Sequence, residues 1–271
     1  MNDNKEYLIK TDDGTTTLFS NEYDQAMHST SGAYAESLLK HVIPSGILEK
    51  QQKTLNVLDI GFGMGYNILA LINEYYYKKQ NNTLNIISLE KEKSYAHFMD
   101  EIRFNDERDK IYSFVKKAYS QGEVHDKNIN IILKFKDARK IIQDLDSETF
   151  DAVFQDPFSP SKNPELWSLE YFKNIHRIIK KEGILTTYSS ASHIRRALIE
   201  ADFHIGKGPS VGKKREGTIA SPSPLQNGLF SEDISAILND PKSVPYRDSS
   251  LSLDRESILQ GRLNEIKKLK E

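Results

Sequence analysis

The chain of 271 residues contains no cysteine, which excludes disulfides, thiolate metal sites and cysteine nucleophiles. No stretch approaches the roughly 20 consecutive apolar residues that a membrane helix needs. The start, MNDNKEYLIK, has neither the apolar core of a signal peptide nor the basic character of a transit peptide. We therefore expect a cytoplasmic protein without a membrane partner, and the sequence gives no indication of its oligomeric state.

A strong net charge is also lacking. The value of −2 provides no global basic field that would indicate a nucleic-acid partner. Positive charge is concentrated locally, since residues 191–216 contain six lysines and arginines against three acids. Such a run is usually a solvated surface, and the functional alternative is a contact with nucleic-acid phosphates.

What is present is an alternation of strand-like and helix-like segments, with 38% hydrophobic residues as in a globular protein. This alternation predicts an α/β fold with a mostly parallel central sheet and helices on both faces. Two short β-like pieces near 203–205 and 217–220 predict an antiparallel edge. The predicted strands are 55–60, 84–90, 129–137, 150–156 and 183–190, and the predicted helices are 66–79, 94–104, 138–145, 164–181 and 192–202.

The two ends of the chain differ from this pattern. The start contains a hairpin pattern around TDDG and a helix from about Ala33 to His41. Residues 221–250 are rich in proline and serine, and an amphipathic helix is predicted from Asp254 to about Lys270. We expect an N-terminal extension that packs on the ligand site (1–44), a central domain (45–221) and a C-terminal arm with a helix (222–271).

A glycine-rich segment, VLDIGFGMGYN (57–67), lies between the first central strand and its helix. Its G-x-G-x-G spacing (Gly61, Gly63, Gly65), with Asp59 two residues before, matches neither the G-x-G-x-x-G fingerprint of NAD enzymes nor a P-loop. It resembles motif I of the Rossmann-like methyltransferases that depend on S-adenosylmethionine (SAM). The resemblance implies that the glycines admit the ribose and carboxypropyl chain of SAM, and that Asp59 positions its amino-acid part.

Carboxylates follow the next two strands, as the same family requires. IISLE ends at Glu90, where an acid that accepts hydrogen bonds from the ribose hydroxyls is expected, and LKFKDA supplies Asp137 and Ala138 beside the adenine. Because the carboxyl ends of parallel strands meet at one edge of the sheet, where ligands bind in open α/β folds, we predict SAM binding there.

The fourth strand runs into FQDPFSP (154–160), in which DPFS is a variant of the D/N-P-P-F/Y loop that amine-directed methyltransferases often carry. A primary alkylamine is mostly protonated at neutral pH, as lysine is. Asp156 is placed to accept or orient its proton, and Phe158 to stack on a planar base or ring. Asp156 is therefore the catalytic candidate.

A longer segment, FDAVFQDPFSPSKNPELWS (150–168), resembles the D-x-F-x-P-x-K-N-P-x-[LM]-W signature of the MnmC methyltransferase family. The resemblance continues through residues 183–221 and includes 18–37 and 245–259. These enzymes methylate 5-aminomethyluridine at the tRNA wobble position, often on a 2-thiouridine. The resemblance implies SAM as methyl donor, S-adenosylhomocysteine (SAH) as product and the tRNA anticodon region as partner.

The resemblance also assigns site residues. SAM-binding positions are Asp59, Gly61, Gly63, Gly65, Glu90, Asp137, Ala138 and Gln155, and substrate-binding positions are Phe158, Lys162, Arg195, Lys213, Lys214 and Arg215. Tyr23, His28 and Ser29 are expected to cap the SAM site, and Trp167 to lie in the core. We expect no metal and no FAD, because bifunctional members carry a C-terminal FAD-dependent oxidase domain and this chain ends at Glu271.

Two alternatives stay open. One is a SAM-dependent methyltransferase of another amine, in a metabolite or a protein, which predicts activity without tRNA. The other is a non-catalytic RNA-binding protein with this fold, which predicts SAM binding without turnover. An NAD-dependent oxidoreductase is a more distant alternative, because the glycine spacing is wrong for it.

Overall fold

The structure of the protein is a computed structural model that describes residues 7–211 and 216–269. Within these ranges eight strands form one central sheet in the order β10-β11-β9-β8-β4-β5-β7-β6. The pairs among β7, β5, β4, β8 and β9 are parallel, whereas β10, β11 and β6 add antiparallel pairs at the two edges. The strands of this sheet are β4 Thr54–Ile60, β5 Thr83–Glu90, β6 Glu123–Asp126, β7 Ile129–Phe135, β8 Phe150–Gln155, β9 Ile179–Thr187, β10 His204–Lys207 and β11 Thr218–Ser221.

Helices cover both faces of this sheet, as predicted. Residues of the central strands alternate between two apolar clusters: Val57 of β4 packs with α2 and α4, and Leu58 packs on the other face with α5, α6, α7 and α9. The helices are α1 Ala33–Ser37, α2 Tyr66–Tyr77, α3 Ala96–Met99, α4 Arg108–Gln121, α5 Ala138–Ile141, α6 Leu169–Ile178, α7 Ser192–Glu200, α8 Ser231–Asn239 and α9 Arg255–Lys268. The architecture is an α/β fold with a mostly parallel central sheet, antiparallel edges and helices on both faces, as predicted. No helix in the described part of the chain is long and apolar enough to cross a membrane.

The N-terminal extension forms a small antiparallel sheet of β1 Tyr7–Lys10, β2 Thr16–Ser20 and β3 Gln25–Ala26. The predicted hairpin around TDDG is confirmed, and Asp13 in this turn accepts hydrogen bonds from the Thr15 backbone and hydroxyl. Helix α1 continues into a π-helical segment, Leu38–Val42. This segment brings the extension against β9 of the central sheet.

Several predicted boundaries were wrong. The helix predicted over 164–181 is a 3₁₀ turn, Pro164–Trp167, followed by α6, which ends where Ile179 starts β9. The register between β8 and β9 shifts between Phe150, which pairs with Ile179, and Ala152, which pairs with Ile184. The residues of β9 between these two pairs, 180–183 (KKEG), accommodate the shift. Gly183 lies inside this stretch, where an added Cβ would be 2.5 Å from Ile179, so Gly183 does not mark a helix end.

Some elements had no counterpart in the sequence prediction. Helix α4 and strand β6 lie between β5 and β7, and α8 lies in the segment that was expected to be an arm along the surface. In addition, the helix predicted over 94–104 is helical only at α3. Helix α9 was predicted correctly, and Asp254 caps it by accepting a hydrogen bond from the Ser257 backbone.

Candidate active site

A cavity opens at the carboxyl ends of β4, β5, β7 and β8, the edge at which the sequence predicted ligand binding. Its empty space, including the open mouth, is about 1010 Å³. The predicted site residues that line it are Gly61, Gly63, Glu90, Asp137, Ala138, Asp156 and Phe158, and two of the expected capping residues, Tyr23 and His28, line it as well.

The glycine loop and Glu90 form one wall of the cavity. Gly61, Gly63 and Gly65 all have positive φ, and Gly65 precedes the first residue of α2. Glu90 Oε2 accepts a hydrogen bond from Gly63 N at 2.9 Å, and Oε1 accepts from the backbone of the two residues after Glu90. Burial raises the pKa of Glu90 although these hydrogen bonds oppose the shift. A carboxylate held in this way keeps free lone pairs for donors on a ligand.

Asp137 lies at the adenine side of the predicted site and caps α5 by accepting from Arg139 N. The guanidinium of Arg139 donates to the Asp137 carboxylate, and also to Asp248 Oδ2 at 2.7 Å and to Leu253 O at 2.8 Å. Burial acts to raise the pKa of Asp137, but the bonds from Arg139 outweigh it and the pKa is lowered. Arg139 therefore ties the cavity wall to the C-terminal arm.

This link yields a stability prediction. Asp248 is fully buried, and it accepts hydrogen bonds from Arg139 and from the Ser252 and Leu253 backbone. Asp248→Ala removes one of the two carboxylates that pair with Arg139, so we expect urea unfolding to show a loss of about 3 kcal/mol. The exposed Asp233 on α8 is the matched control, and Asp233→Ala should change stability by less than about 0.5 kcal/mol. Equal effects of the two substitutions would contradict the proposed link.

Asp59 lies behind the cavity wall, where it is 1% exposed. Its carboxylate accepts from Ser88 Oγ at 2.6 Å and from Asn67 Nδ2 at 3.1 Å. The same Asn67 Nδ2 donates to Asp156 Oδ2 at 3.0 Å, so one amide joins the two carboxylates. Burial raises the pKa of Asp59 to about 7, against the effect of the two hydrogen bonds.

Asp156 follows β8 and faces the cavity, with its side chain 16% exposed. His41 Nε2 lies 3.3 Å from Oδ1, while Asn67 occupies Oδ2. Burial acts to raise the pKa of Asp156, but His41, His28 and Asn67 outweigh it, so that the pKa is lowered. Asp156 is therefore ionised at neutral pH and can hold a cation such as an alkylammonium group.

The loop after Asp156 is fixed by hydrogen bonds to its carbonyl groups. Tyr188 donates its hydroxyl to Pro157 O at 2.8 Å, and Trp167 donates its indole N–H to Phe158 O at 2.9 Å. Trp167 is fully buried, as expected for a core residue, and it supports this loop at the same time. The loop therefore holds Asp156 and Phe158 in place before any ligand binds.

Both ends of the chain contribute to the cavity mouth. The ring of Tyr23, from the N-terminal extension, stacks on Phe158 with centroids 4.1 Å apart. The guanidinium of Arg255, from α9, lies 4.7 Å from the centroid of the Tyr23 ring. Phe158 was predicted to stack on a substrate base, and it already stacks on an aromatic ring of the protein.

Several predicted site residues are not at the cavity. Gly65 and Gln155 are buried behind it, and Lys162 forms an exposed ion pair with Asp24 at 3.0 Å. Arg195 was predicted to contact the substrate, and this is not supported. Its buried guanidinium donates to Thr218 Oγ1, Glu216 and Gly217 O. Lys213, Lys214 and Arg215 lie outside the described residues.

The sequence prediction missed three residues that hold the site together: His41, Asn67 and Arg139. Asn67 could have been found, since it follows Gly65 closely and a residue at the start of α2 must point toward the strand ends. Arg139 could also have been found, because it lies two residues after the helix cap Asp137. His41 gives no local signal, because only the tertiary fold brings it to Asp156.

The cavity fits the SAM molecule that the sequence predicts. Asn67 lines it and is buried, and Asn67 Oδ1 has no hydrogen-bond donor within the described residues. Buried polar atoms normally have a partner, and the ammonium group of an amino-acid ligand would supply one. Groups of three or more acidic or histidine side chains that could hold a metal do not occur in the part of the chain that the structure describes.

Known proteins are similar to this chain in sequence and structure. A family model described as S-adenosyl-L-methionine-dependent methyltransferase matches residues 104–223. The crystal structure of MnmC2 from Aquifex aeolicus superposes with a TM-score of 0.86 at 31% identity, covering 98% of this chain and 87% of that one. An uncharacterized protein of Methanocaldococcus jannaschii, MJ0670, is 33% identical and is aligned over 97% of this chain and 73% of its own length.

The bifunctional protein MnmC of Ralstonia nicotianae, named for tRNA 5-methylaminomethyl-2-thiouridine biosynthesis, is 31% identical over 76% of this chain. This chain spans about a third of the length of that relative. The fold, the glycine loop with Glu90 and these similarities define a SAM-dependent methyltransferase. More specifically, the chain belongs to the MnmC methyltransferase family.

Proposed function

We propose that this protein transfers a methyl group from SAM to the primary amine of 5-aminomethyl(-2-thio)uridine at the tRNA wobble position, giving 5-methylaminomethyl(-2-thio)uridine. The observation that carries the proposal is the ionised carboxylate of Asp156, which faces the same cavity as the glycine loop and Glu90. The names of the bifunctional relatives describe biosynthesis of this nucleoside in tRNA.

The chemistry requires a nucleophile with a free lone pair. Bound SAM supplies an activated methyl group on its sulfonium sulfur. The substrate amine arrives mostly as an ammonium ion, which cannot attack. Asp156 attracts this cation, orients it toward the methyl donor and accepts a hydrogen bond from it. Water exclusion by the Tyr23–Phe158 stack strengthens the attraction, since charges interact more strongly in a low dielectric.

The remaining assignments follow the predicted roles. Glu90 holds the ribose hydroxyls, and Asp137 with Ala138 lies against the adenine. Asn67, oriented by Asp59, accepts from the ammonium of the amino-acid part. In these roles the chain provides binding and orientation, and it requires neither a metal nor FAD.

The tRNA would approach through its anticodon region, in the cytoplasm. The predicted basic contact at Arg195 has internal partners instead. Lys91 and Lys136 line the cavity and are exposed, so they are better placed for phosphates beside the wobble nucleotide. Contacts of this kind make binding salt-dependent.

The test is incubation with labelled SAM and tRNA that carries 5-aminomethyluridine, followed by nucleoside analysis. We expect label in 5-methylaminomethyluridine, because the amine is the group that Asp156 can hold. The same tRNA with unmodified uridine at the wobble position is the matched control, and it should take up no label.

The other outcomes separate the alternatives. Label in an amine metabolite or a protein, with none in tRNA, would assign the other amine substrates. SAM binding without label in any acceptor would favour the non-catalytic RNA-binding protein. Methylation of the unmodified tRNA would contradict the proposed role of the amine.

A further inference from the structure

The cavity contains a buried amide whose oxygen has no donor. Asn163 lines the cavity and directly precedes the 3₁₀ turn Pro164–Trp167, which packs against α5 at the predicted adenine side. The residue is 8% exposed, and Asn163 Oδ1 accepts no hydrogen bond within residues 7–211 and 216–269. Buried polar atoms normally have a partner, and one that lacks a partner costs free energy. A ligand that donates to this oxygen would remove the cost.

The carboxylate that was predicted beside the adenine is already fully engaged. Asp137 Oδ1 accepts from the Arg139 backbone at 2.9 Å and from Arg139 Nε at 3.2 Å. Asp137 Oδ2 accepts from Nε at 3.2 Å and from Nη2 at 2.8 Å. An ionised carboxylate has about four lone-pair sites, and these four contacts occupy them. Asp137 can border the adenine, but the amino group of the base needs another acceptor.

A second acceptor belongs to the same turn. Glu165 lines the cavity, and Glu165 Oε2 also accepts no hydrogen bond from the described residues. Its side chain is 18% exposed, however, and Oε1 lies 3.6 Å from Nε of Arg255. The carboxylate therefore has a cation beside it and partial access to water. Asn163 is buried more deeply, and its neutral amide matches a neutral amino group, so Asn163 gains more from a donor on the ligand.

We propose that Asn163 holds the adenine of SAM, with Asn163 Oδ1 accepting a hydrogen bond from the 6-amino group, and that it selects adenosyl over other purine nucleosides. This inference rests on the SAM binding of the proposed function and not on its tRNA substrate. An asparagine amide suits this role, because its oxygen accepts from the amino group of adenine while its nitrogen donates to an adjacent ring nitrogen. Asn163 thus positions the methyl donor from the end that does not react.

The test compares two ligands on one protein by titration calorimetry. They are SAH and the analogue of SAH that carries hydrogen in place of the 6-amino group. The unsubstituted protein should bind SAH about tenfold more tightly, which is the effect of about one hydrogen bond. Asn163→Leu replaces the amide by an apolar group of similar size. We expect this variant to bind SAH about tenfold more weakly and the analogue within about twofold of the original, so the preference for SAH disappears.

Stability of the ligand-free protein distinguishes ligand binding from a structural role. Asn163→Leu removes a buried acceptor that has no donor, so the urea midpoint should stay the same or rise. The matched control is Asn174→Leu. Asn174 is a half-buried asparagine of α6 that donates to Glu170 O at 3.0 Å and does not line the cavity. This control should keep the tenfold preference for SAH, whatever its effect on stability.

Two results would overturn the proposal. One is a preference for SAH that is absent from the unsubstituted protein or persists in Asn163→Leu. In the second case Glu165→Leu shows whether the neighbouring carboxylate is the acceptor instead. The other is an equal weakening of both ligands in Asn163→Leu, since this would indicate a contact with a ring nitrogen, or a structural role if the urea midpoint falls as well.

Asn163→Ala covers the case in which leucine does not fit at this position. The ratio of two affinities on one protein is insensitive to a general loosening of the site, so the preference for SAH should disappear in this variant too. The binding test is also independent of the acceptor. A protein that prefers SAH as expected but does not methylate tRNA would contradict the proposed function alone, whereas a protein that binds neither ligand would contradict both.

Discussion

Replacement of Asp156 by asparagine is expected to lower the rate of methyl transfer by about 10³-fold. The amide has nearly the same shape as the carboxylate, but it carries no charge to attract the substrate ammonium and takes up no proton. Asn67 and His41 both face the carboxylate as hydrogen-bonding partners, so the substituted side chain also loses the contact that fixes its orientation. The measurement is single-turnover methyl transfer at saturating SAM.

Affinity for SAM separates a catalytic from a structural effect of this substitution. Glu90 and the glycine loop are the groups expected to hold SAM, and Asp156→Asn should leave SAM affinity within about twofold. Asp126→Asn, at the exposed edge strand β6, is the control for a lost surface charge. A rate within about threefold of the original in Asp156→Asn would remove the carboxylate from the mechanism.

The lowered pKa of Asp156 determines the pH range in which protonation of its carboxylate changes the rate of methyl transfer. A carboxyl group whose folded pKa lies below its ordinary value is ionised throughout the neutral range, and its protonation affects the rate only in acid. Changes of rate near neutrality must then come from groups other than this carboxylate.

The strand ends could be predicted from sequence because their position depends on local pattern. Glu90, Asp137 and Asp156 each follow an apolar run, and parallel strands bring their carboxyl ends to one edge. The end of α6 could not be predicted in the same way. Ile178 and Ile179 are both buried, so the apolar pattern continues unchanged where the backbone turns from helix to strand.

Contacts between segments that lie far apart in the sequence could not be predicted from the sequence pattern. His41 reaches Asp156, and Tyr23 stacks on Phe158, only because the N-terminal extension folds over the sheet. For the basic run that contains Arg195, the sequence pattern instead predicted a contact that the structure does not support. Its charge suggested a surface for phosphates, but burial pairs this guanidinium with Glu216 inside the protein. A count of charges does not distinguish a solvated arginine from a buried one.

Replacement of Gly61 by alanine is expected to displace the catalytic loop. Gly61 has φ +89°, and an added Cβ would lie 2.7 Å from Asp156 O and 3.2 Å from Pro157 Cα. Both are backbone atoms, so the loop must move. A shift of about 1 Å at the reacting groups can lower the rate by about 100-fold, and we expect a loss of this size in kcat/KM. The measurement is methyl transfer, together with affinity for SAH.

Gly14→Ala is the matched control, because it separates backbone strain from collision. Gly14 also has positive φ, +79°, but no atom lies within 4 Å of the added Cβ. Both substitutions should cost about 1 kcal/mol of stability through strain, since an alanine at positive φ is strained wherever it lies, and Gly61→Ala should cost more because of the collision. Only Gly61→Ala should then lose activity, because only there does the new methyl group meet the loop that carries Asp156. Equal activities of the two variants would show that the loop accommodates the methyl group, and that close packing of the glycine loop does not position the carboxylate.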